Sequence, residues 1–245
     1  MREFNGKRYW LVGASEGLGL ALARKLNAAG AEVILSGRDA LRLNAAVQAM
    51  PGKASGVVCD VASTESVKAA AAEVGALDGV VFMAGVYWPM AAQDWDAAQV
   101  EAMCDVNFTG AHRVVGAVLP DMLLKKHGHL VITGSLSGFR GLPGAVGYGA
   151  SKAGVMAMAE SLYADLRGSG ITVQLANPGF IKTRLTAKND FKMPFLMEPE
   201  QAAQQMFEQM CGDQFKASFP TVFSWFFRLG QFLPDWAYYR IFAPK

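Results

Sequence analysis

Residues 9–30 read YWLVGASEGLGLALARKLNAAG, and this stretch decides the fold. Tyr9 to Val12 is a short apolar run that stops at Gly13, as a buried strand does when it meets a turn. From about Gly17 to Ala29 the apolar side chains recur at helical spacing, with Leu18, Leu22 and Leu26 on one face. Gly30 supplies the stop. A strand, a glycine-rich turn and an amphipathic helix in immediate succession form a βα unit.

The same alternation carries on down the chain. Strands are expected at Glu32–Leu35, Ser55–Cys59, Gly79–Met83, Gly128–Thr133 and Ile171–Ala176, with a seventh starting or ending at Phe219 beside Pro220. Helices are expected at Ala40–Ala49, Ser63–Val74, Trp95–Val106, Ala111–Lys126, on the segment that carries Tyr148, and at Glu200–Met210. Gly110 reads as a join between two of them. Strands alternating with helices predict an α/β fold, a doubly wound parallel sheet of about seven strands with helices on both faces. No linker or repeat divides residues 1–245, so one domain is expected, with 186–214 as a lid and helix and 215–245 as an aromatic tail.

The first turn, Gly13-Ala14-Ser15-Glu16-Gly17-Leu18-Gly19, sits where a pyrophosphate rests on helix N–H groups in dinucleotide-binding folds. Its spacing is GxxxGxG rather than GxGxxG. The end of the second strand selects the nucleotide: a carboxylate there holds a ribose 2′-OH, and an arginine suits a 2′-phosphate. Here the chain reads Leu35-Ser36-Gly37-Arg38-Asp39, with Gly37 where the carboxylate would stand. Arg38, with Ser15 and Ser36, is expected to seat a phosphate, which favours NADP(H) over NAD(H). Two observations stand against it: Arg38 could pair with Asp39, and the charge of Glu16 would repel a phosphate.

Chemistry is expected at Ser135 to Lys152, SLSGFRGLPGAVGYGASK. Tyr148 and Lys152 lie at i,i+4, so on a helix they share a face. An ammonium close to a phenol lowers its pKa from about 10 toward neutrality, which equips it to exchange a proton with an oxygen. Ser135 could anchor that oxygen.

In this order the motifs resemble the short-chain dehydrogenase/reductase family, from about Lys7 to Leu185. The resemblance implies a Rossmann-type fold and hydride transfer between a nicotinamide and a carbon bearing the substrate oxygen. It assigns Tyr148 the proton exchange, Ser135 the substrate oxygen, and Lys152 the Tyr148 pKa together with the nicotinamide ribose. Asn107 joins them through a water beside Lys152. It also implies adenine contacts at Asp60 and Val61, cofactor contacts at Ala84 and Gly85, and nicotinamide contacts at Pro178, Gly179, Ile181 and Thr183. Val12 and Phe82-Met83 depart from the family's Thr and Asn-Asn at those places, and Ser137 is a stand-in for Ser135. Family members are commonly dimers or tetramers, so a homo-oligomer is expected by analogy.

Composition excludes other classes. A formal net charge of +2, with no cluster of basic and aromatic residues, gives no footprint for nucleic acid. The three cysteines and three histidines make no metal-binding pattern, and the odd cysteine number points to reduced thiols in a cytoplasm-like compartment. Neither a signal peptide nor a spanning helix is visible. The tail gathers aromatics with Arg228, Arg240 and Lys245. Packing on its own domain or on a second subunit is the favoured reading, followed by the wall of an apolar pocket and then by a membrane surface. The expected enzyme is an NADP(H)-dependent carbonyl reductase or alcohol dehydrogenase acting on an apolar small molecule. The rival is a dinucleotide-binding sensor or scaffold on the same fold.

Overall fold

The computed structural model describes residues 1–242. Seven strands are present: β1 (Arg8–Val12), β2 (Glu32–Gly37), β3 (Ala54–Val58), β4 (Gly79–Phe82), β5 (Gly128–Thr133), β6 (Ile171–Pro178) and β7 (Lys216–Phe219). They form one parallel sheet in the order β3-β2-β1-β4-β5-β6-β7. β4 and β5 are buried along their whole length, which is why Gly79–Phe82 and the centre of Gly128–Thr133, Leu130–Ile132, read as apolar runs rather than alternating ones. β3, at the edge, leaves Ser55, Gly56 and Val58 exposed.

Helices cover both faces. α1 (Gly17–Ala28), α2 (Ala40–Gln48) and α7 (Pro199–Cys211) close one side, with Leu22, Leu26, Leu43, Met206 and Met210 buried against the sheet. On the other side lie α3 (Thr64–Val74), α5 (Gly110–Lys125) and α6 (Val146–Asp165), which bury Val67, Val114, Val155 and their neighbours. Local chemistry sets the helix starts: the Asp39 side chain accepts from the Arg42 N–H ahead of α2, and Ser63 Oγ accepts from the Ser66 N–H ahead of α3.

The path differs from expectation in two places. The segment expected as one helix from Trp95 to Val106 is α4 (Ala97–Cys104), which runs through a π turn at Asp105–Thr109 directly into α5. Gly110 is therefore not a loop; a side chain there would meet Val61 Cγ2 at 2.9 Å. The tail forms two further helices, α8 (Thr221–Gly230) and α9 (Asp235–Phe242). Lys245 lies outside the described residues.

A buried polar chain ties the first residues to the sheet. Tyr9 Oη lies 2.9 Å from His129 Nδ1, and His129 Nε2 lies 2.8 Å from Gln174 Oε1. Gln174 Nε2 in turn donates to the carbonyls of Gln209 in α7 and of Gly212 and Gln214 just after it. A neutral imidazole protonated at Nε2 satisfies both neighbours. Burial, and then the charge of Arg2, push His129 down to about 3. Between about pH 6.5 and 3 the unfolded chain thus takes up a proton that the fold refuses, so stability is complete above that window and declines as pH falls through it. The slope expected from this residue is about 1.4 kcal/mol per pH unit. Denaturant titrations from pH 7 to 4 check it; His129→Gln should flatten the slope, and an unchanged slope would remove the residue from acid sensitivity.

Candidate active site

One cleft of about 1320 Å³ runs along the carboxyl ends of the strands, and it holds every residue expected at the site except Asn107, which braces its wall, and Ser36. At one end the Gly13–Gly19 loop joins β1 to α1. Gly13 has φ +91, and a Cβ on it would lie 2.5 Å from the Ala84 amide nitrogen. A Cβ on Gly19 would lie 2.2 Å from the Gly13 carbonyl oxygen. These two glycines let the loop close on itself and on the end of β4, bringing Ala84 and Gly85 to the same wall. The first turn of α1 has no side-chain cap, because Glu16 at its N-cap makes no such bond. Its N–H groups, with Ser15 and Leu18 beside them, are therefore free for an anion.

Arg38 is exposed at the rim of this end and makes no hydrogen bond or ion pair among the described residues. Its expected rival partner is taken: Asp39 pairs with Arg42 at 2.7 Å and caps α2. Glu16 lies between Arg42 at 3.3 Å and Arg184 at 2.6 Å, so its charge is answered on both sides. Ser36 is the correction here. It is fully buried, accepts from Trp10 Nε1 at 2.8 Å and donates to the Val57 carbonyl at 2.6 Å, so it cannot seat a phosphate. Asp60 accepts from the Ala62 N–H at 3.0 Å, and Val61 lines the floor beside it.

At the other end Tyr148 and Lys152 stand one turn apart on α6, facing Ser135 just beyond β5. Ser135 Oγ lies 2.9 Å from Ser137 Oγ, so Ser137 partners it rather than replaces it. Lys152 Nζ sits 5.9 Å from the centre of the Tyr148 ring, yet it donates to the Thr133 carbonyl at 2.9 Å. This corrects the expected acidic phenol. Burial pushes Tyr148 up to about 12, while the Ser135 hydroxyl pulls the other way. Burial likewise pushes Lys152 down to about 8. In the free chain desolvation outweighs the amine, because the ammonium faces a carbonyl and not the phenol oxygen.

Asn107 is fully buried in the π turn. Its Oδ1 accepts from the Val86 N–H at 2.7 Å, and its Nδ2 donates to the Val86 carbonyl and to Ser151 Oγ, both at 3.0 Å. These bonds use both N–H groups of the amide and one acceptor direction of Oδ1, so the side chain braces the wall of the cleft. Ser151 Oγ also donates to the Tyr148 carbonyl at 2.8 Å, so the brace reaches α6.

The wall opposite α6 comes from the end of β6. Pro178, Gly179, Ile181 and Thr183 all line the cleft. The methyl of Thr183 lies 3.1 Å from where a Gly17 Cβ would stand, so this segment touches the glycine loop. Past it, Tyr87 Oη donates to Asn189 Oδ1 at 2.8 Å, and Lys188 Nζ donates to the Tyr87 carbonyl at 2.7 Å. The Tyr87 ring meets Tyr148 edge-on at 4.9 Å. Sequence reading missed Arg42, Arg184, Ser151 and Tyr87. Only the first and third left a trace there, Arg42 three residues after the capping Asp39 and Ser151 one turn from Tyr148.

Comparison with known proteins identifies the family. The family model described as short chain dehydrogenase matches residues 7–193. An uncharacterized oxidoreductase of Myxococcus xanthus is 40% identical over 242 residues, 96% of each chain. A 3-oxoacyl-[acyl-carrier-protein] reductase of Rickettsia prowazekii is 31% identical over 188 residues, 77% of this chain and 78% of its own. Among solved structures, an actinorhodin polyketide ketoreductase with NADPH superposes with a TM-score of 0.80 at 25% identity, covering 89% of this chain and 97% of its own. With the seven-stranded doubly wound sheet and a family match over most of its length, the chain belongs to the short-chain dehydrogenase family of oxidoreductases.

Proposed function

We propose that the protein interconverts a ketone and a secondary alcohol of apolar character, and that it prefers NADP(H) to NAD(H). The observation that carries this reading is the convergence of Ser135, Tyr148 and Lys152 on the cleft whose far end holds the glycine loop and the unpaired Arg38. The Rickettsia relative acts on a 3-oxoacyl group and the polyketide ketoreductase was solved with NADPH, and both descriptions support the same chemistry.

The residues fit a dinucleotide by their own geometry. Gly13 and Gly19 let the loop close on itself and on Ala84, and the first turn of α1 beside it has no side-chain cap on its N–H groups. Gly13, Ser15, Gly17, Leu18 and Gly19 would hold the pyrophosphate, and Arg38 a 2′-phosphate. Glu16, held between Arg42 and Arg184, would fix the loop that does so. Asp60 and Val61 would flank the adenine, Ala84 and Gly85 the central wall, and Pro178, Gly179, Ile181 and Thr183 the nicotinamide. A bound nicotinamide supplies or accepts the hydride. Ser135 Oγ orients the substrate oxygen. Tyr148 exchanges the proton with it. Lys152 stands on the same face of α6 with its charge close to that proton's path, and Asn107 and Ser151 keep α6 and the end of β4 in register.

Met90, Leu142, Phe180, Phe191, Phe223 and Phe227 line the substrate end, which argues for an apolar substrate. The decisive experiment is a panel of apolar ketones with NADPH or NADH, read by the loss of cofactor absorbance. Consumption is expected with NADPH, faster than with NADH; an inert panel, with both cofactors bound, would favour the non-catalytic rival instead.

The pKa directions add a further expectation. A phenol held near 12 is protonated at neutral pH, the form that donates to a carbonyl oxygen. Reduction should therefore be level between about pH 6 and 7 and fall as Lys152, pushed down to about 8, loses its charge, whereas alcohol oxidation, which needs the phenolate, should climb with pH. Profiles of kcat/KM in both directions test this. A reduction rate already falling between about pH 6 and 7 would contradict it.

A further inference from the structure

The surface formed by α8 and α9 lies beyond residues 7–193, the part matched by the family model, and it has two unlike sides. Inward, Phe223 and Phe227 wall the substrate end of the cleft, and Tyr238 is buried. Outward, Val222, Trp225, Phe226, Leu229, Phe232 and Trp236 are exposed, Phe232 at 79% and Trp236 at 74%. Apolar side chains standing this far into water as a contiguous group mark a contact surface. The lid continues the group, since Phe195 stacks on Phe223 at 5.3 Å and is itself exposed.

This surface is a fixed platform and not a loose tail. Arg140 donates to the carbonyls of Gly230 (3.2 Å) and Leu233 (2.6 Å), pairs with Asp235, and lies 4.0 Å over the Tyr238 ring. Tyr238 Oη donates to the Gly141 carbonyl at 2.9 Å. The aromatic groups are thus presented ready-made, with little ordering left to do on contact.

Its charges decide the occupant. Asp235 is the one acidic residue of α8 and α9, and Arg140 already answers it. Arg228, stacked 4.5 Å over Trp225, and Arg240 have no carboxylate partner among the described residues. Two copies meeting face to face would set these cations against each other with nothing to neutralise them. An anionic bilayer neutralises both and takes the aromatic groups at the headgroup level, where Trp and Tyr are favoured. We propose that α8 and α9 dock the protein on an anionic phospholipid surface, with the mouth of the substrate cleft at the edge of the contact. No helix among the described residues is long and apolar enough to cross a membrane, so the contact is peripheral. The corollary that the substrate enters from the lipid rests on the reductase reading; the docking itself does not.

The test is flotation of the full chain with vesicles of phosphatidylcholine alone or mixed with phosphatidylglycerol, in the absence of cofactor and substrate, so its outcome is independent of turnover. The wild type is expected to float with the mixed vesicles. Phe232→Glu/Trp236→Glu should bind them at least tenfold more weakly, and Arg228→Glu/Arg240→Glu should lose the preference for the anionic lipid. NADPH binding and the melting temperature should be unchanged in both, because all four side chains point to solvent. Failure of the wild type to float would overturn the proposal, as would equal flotation of the wild type and both variants. So would light scattering that shows a dimer broken by Phe232→Glu/Trp236→Glu without any vesicle binding, an outcome that would assign the surface to a second copy of the chain.

Discussion

Tyr148→Phe is expected to lower turnover by about 10²–10⁴-fold, the range that a positioned proton donor contributes. NADPH affinity should stay within about twofold of wild type, the change being smaller than a single hydrogen bond is worth. The substitution removes one oxygen and keeps the ring, so the edge contact with Tyr87 at 4.9 Å and the packing of α6 survive. What the phenol oxygen gives up is its hydrogen bond with the Ser135 hydroxyl, a side-chain contact within the site. Stopped-flow absorbance with excess enzyme separates the chemical step from cofactor release, and a fluorescence titration reports binding. Turnover within tenfold of wild type would take the proton from Tyr148 and leave Ser135 as the next candidate.

Arg38→Ala should weaken NADPH by roughly 10- to 100-fold, as expected when a hydrogen bond to a charged group worth about 1.5–3 kcal/mol is lost. NADH, which has no 2′-phosphate, should bind as before. The case rests on what surrounds the guanidinium. Gly37 offers no carboxylate, Asp39 is held by Arg42, and Ser15 Oγ lies 3.0 Å from the position of a Gly37 Cβ. Arg42 cannot simply stand in, because it is engaged by both Asp39 and Glu16. Dissociation constants for both cofactors at one ionic strength decide the matter, and an equal loss for the two would refute the phosphate seat.

The sheet and the site were legible in the sequence for different reasons. β5, at Gly128–Thr133, was readable to the residue because its apolar centre, Leu130–Ile132, is buried on both faces and lies between Gly128 and the Ser135 loop. The glycine loop was readable because Gly13 and Gly19 occupy positions that no other residue fits. The π turn at Asp105–Thr109 was not, since periodicity continues through it and only the tertiary bonds of Asn107 show its use. Ser36 misled because a serine beside an arginine looks like a phosphate partner, when its hydroxyl in fact satisfies Trp10 inside the core. The state of Tyr148 was out of reach for a similar reason. Spacing puts Lys152 on the right face of a helix, but the bond of its amine to the Thr133 carbonyl depends on how α6 packs against β5, which no local pattern encodes. The helices of the tail were not expected, although in α8 Thr221, Ser224 and Arg228 recur at i, i+3 and i+7 between apolar residues, which is a helical period.

The cleft draws its two ends from distant parts of the chain. The glycine loop belongs to β1, which lies inside the sheet between β2 and β4, whereas the substrate wall waits for Phe223 and Phe227 of α8. Arg2, too, finds its carbonyl partners, Met210 and Gly212, only once α7 has formed. During synthesis a nascent polypeptide can therefore assemble the nucleotide half well before the substrate half exists. On the proposed reading the site is complete only once α8 has left the ribosome, and a protease that clipped the chain near Thr221 would leave the glycine loop in place without the Phe223 and Phe227 wall.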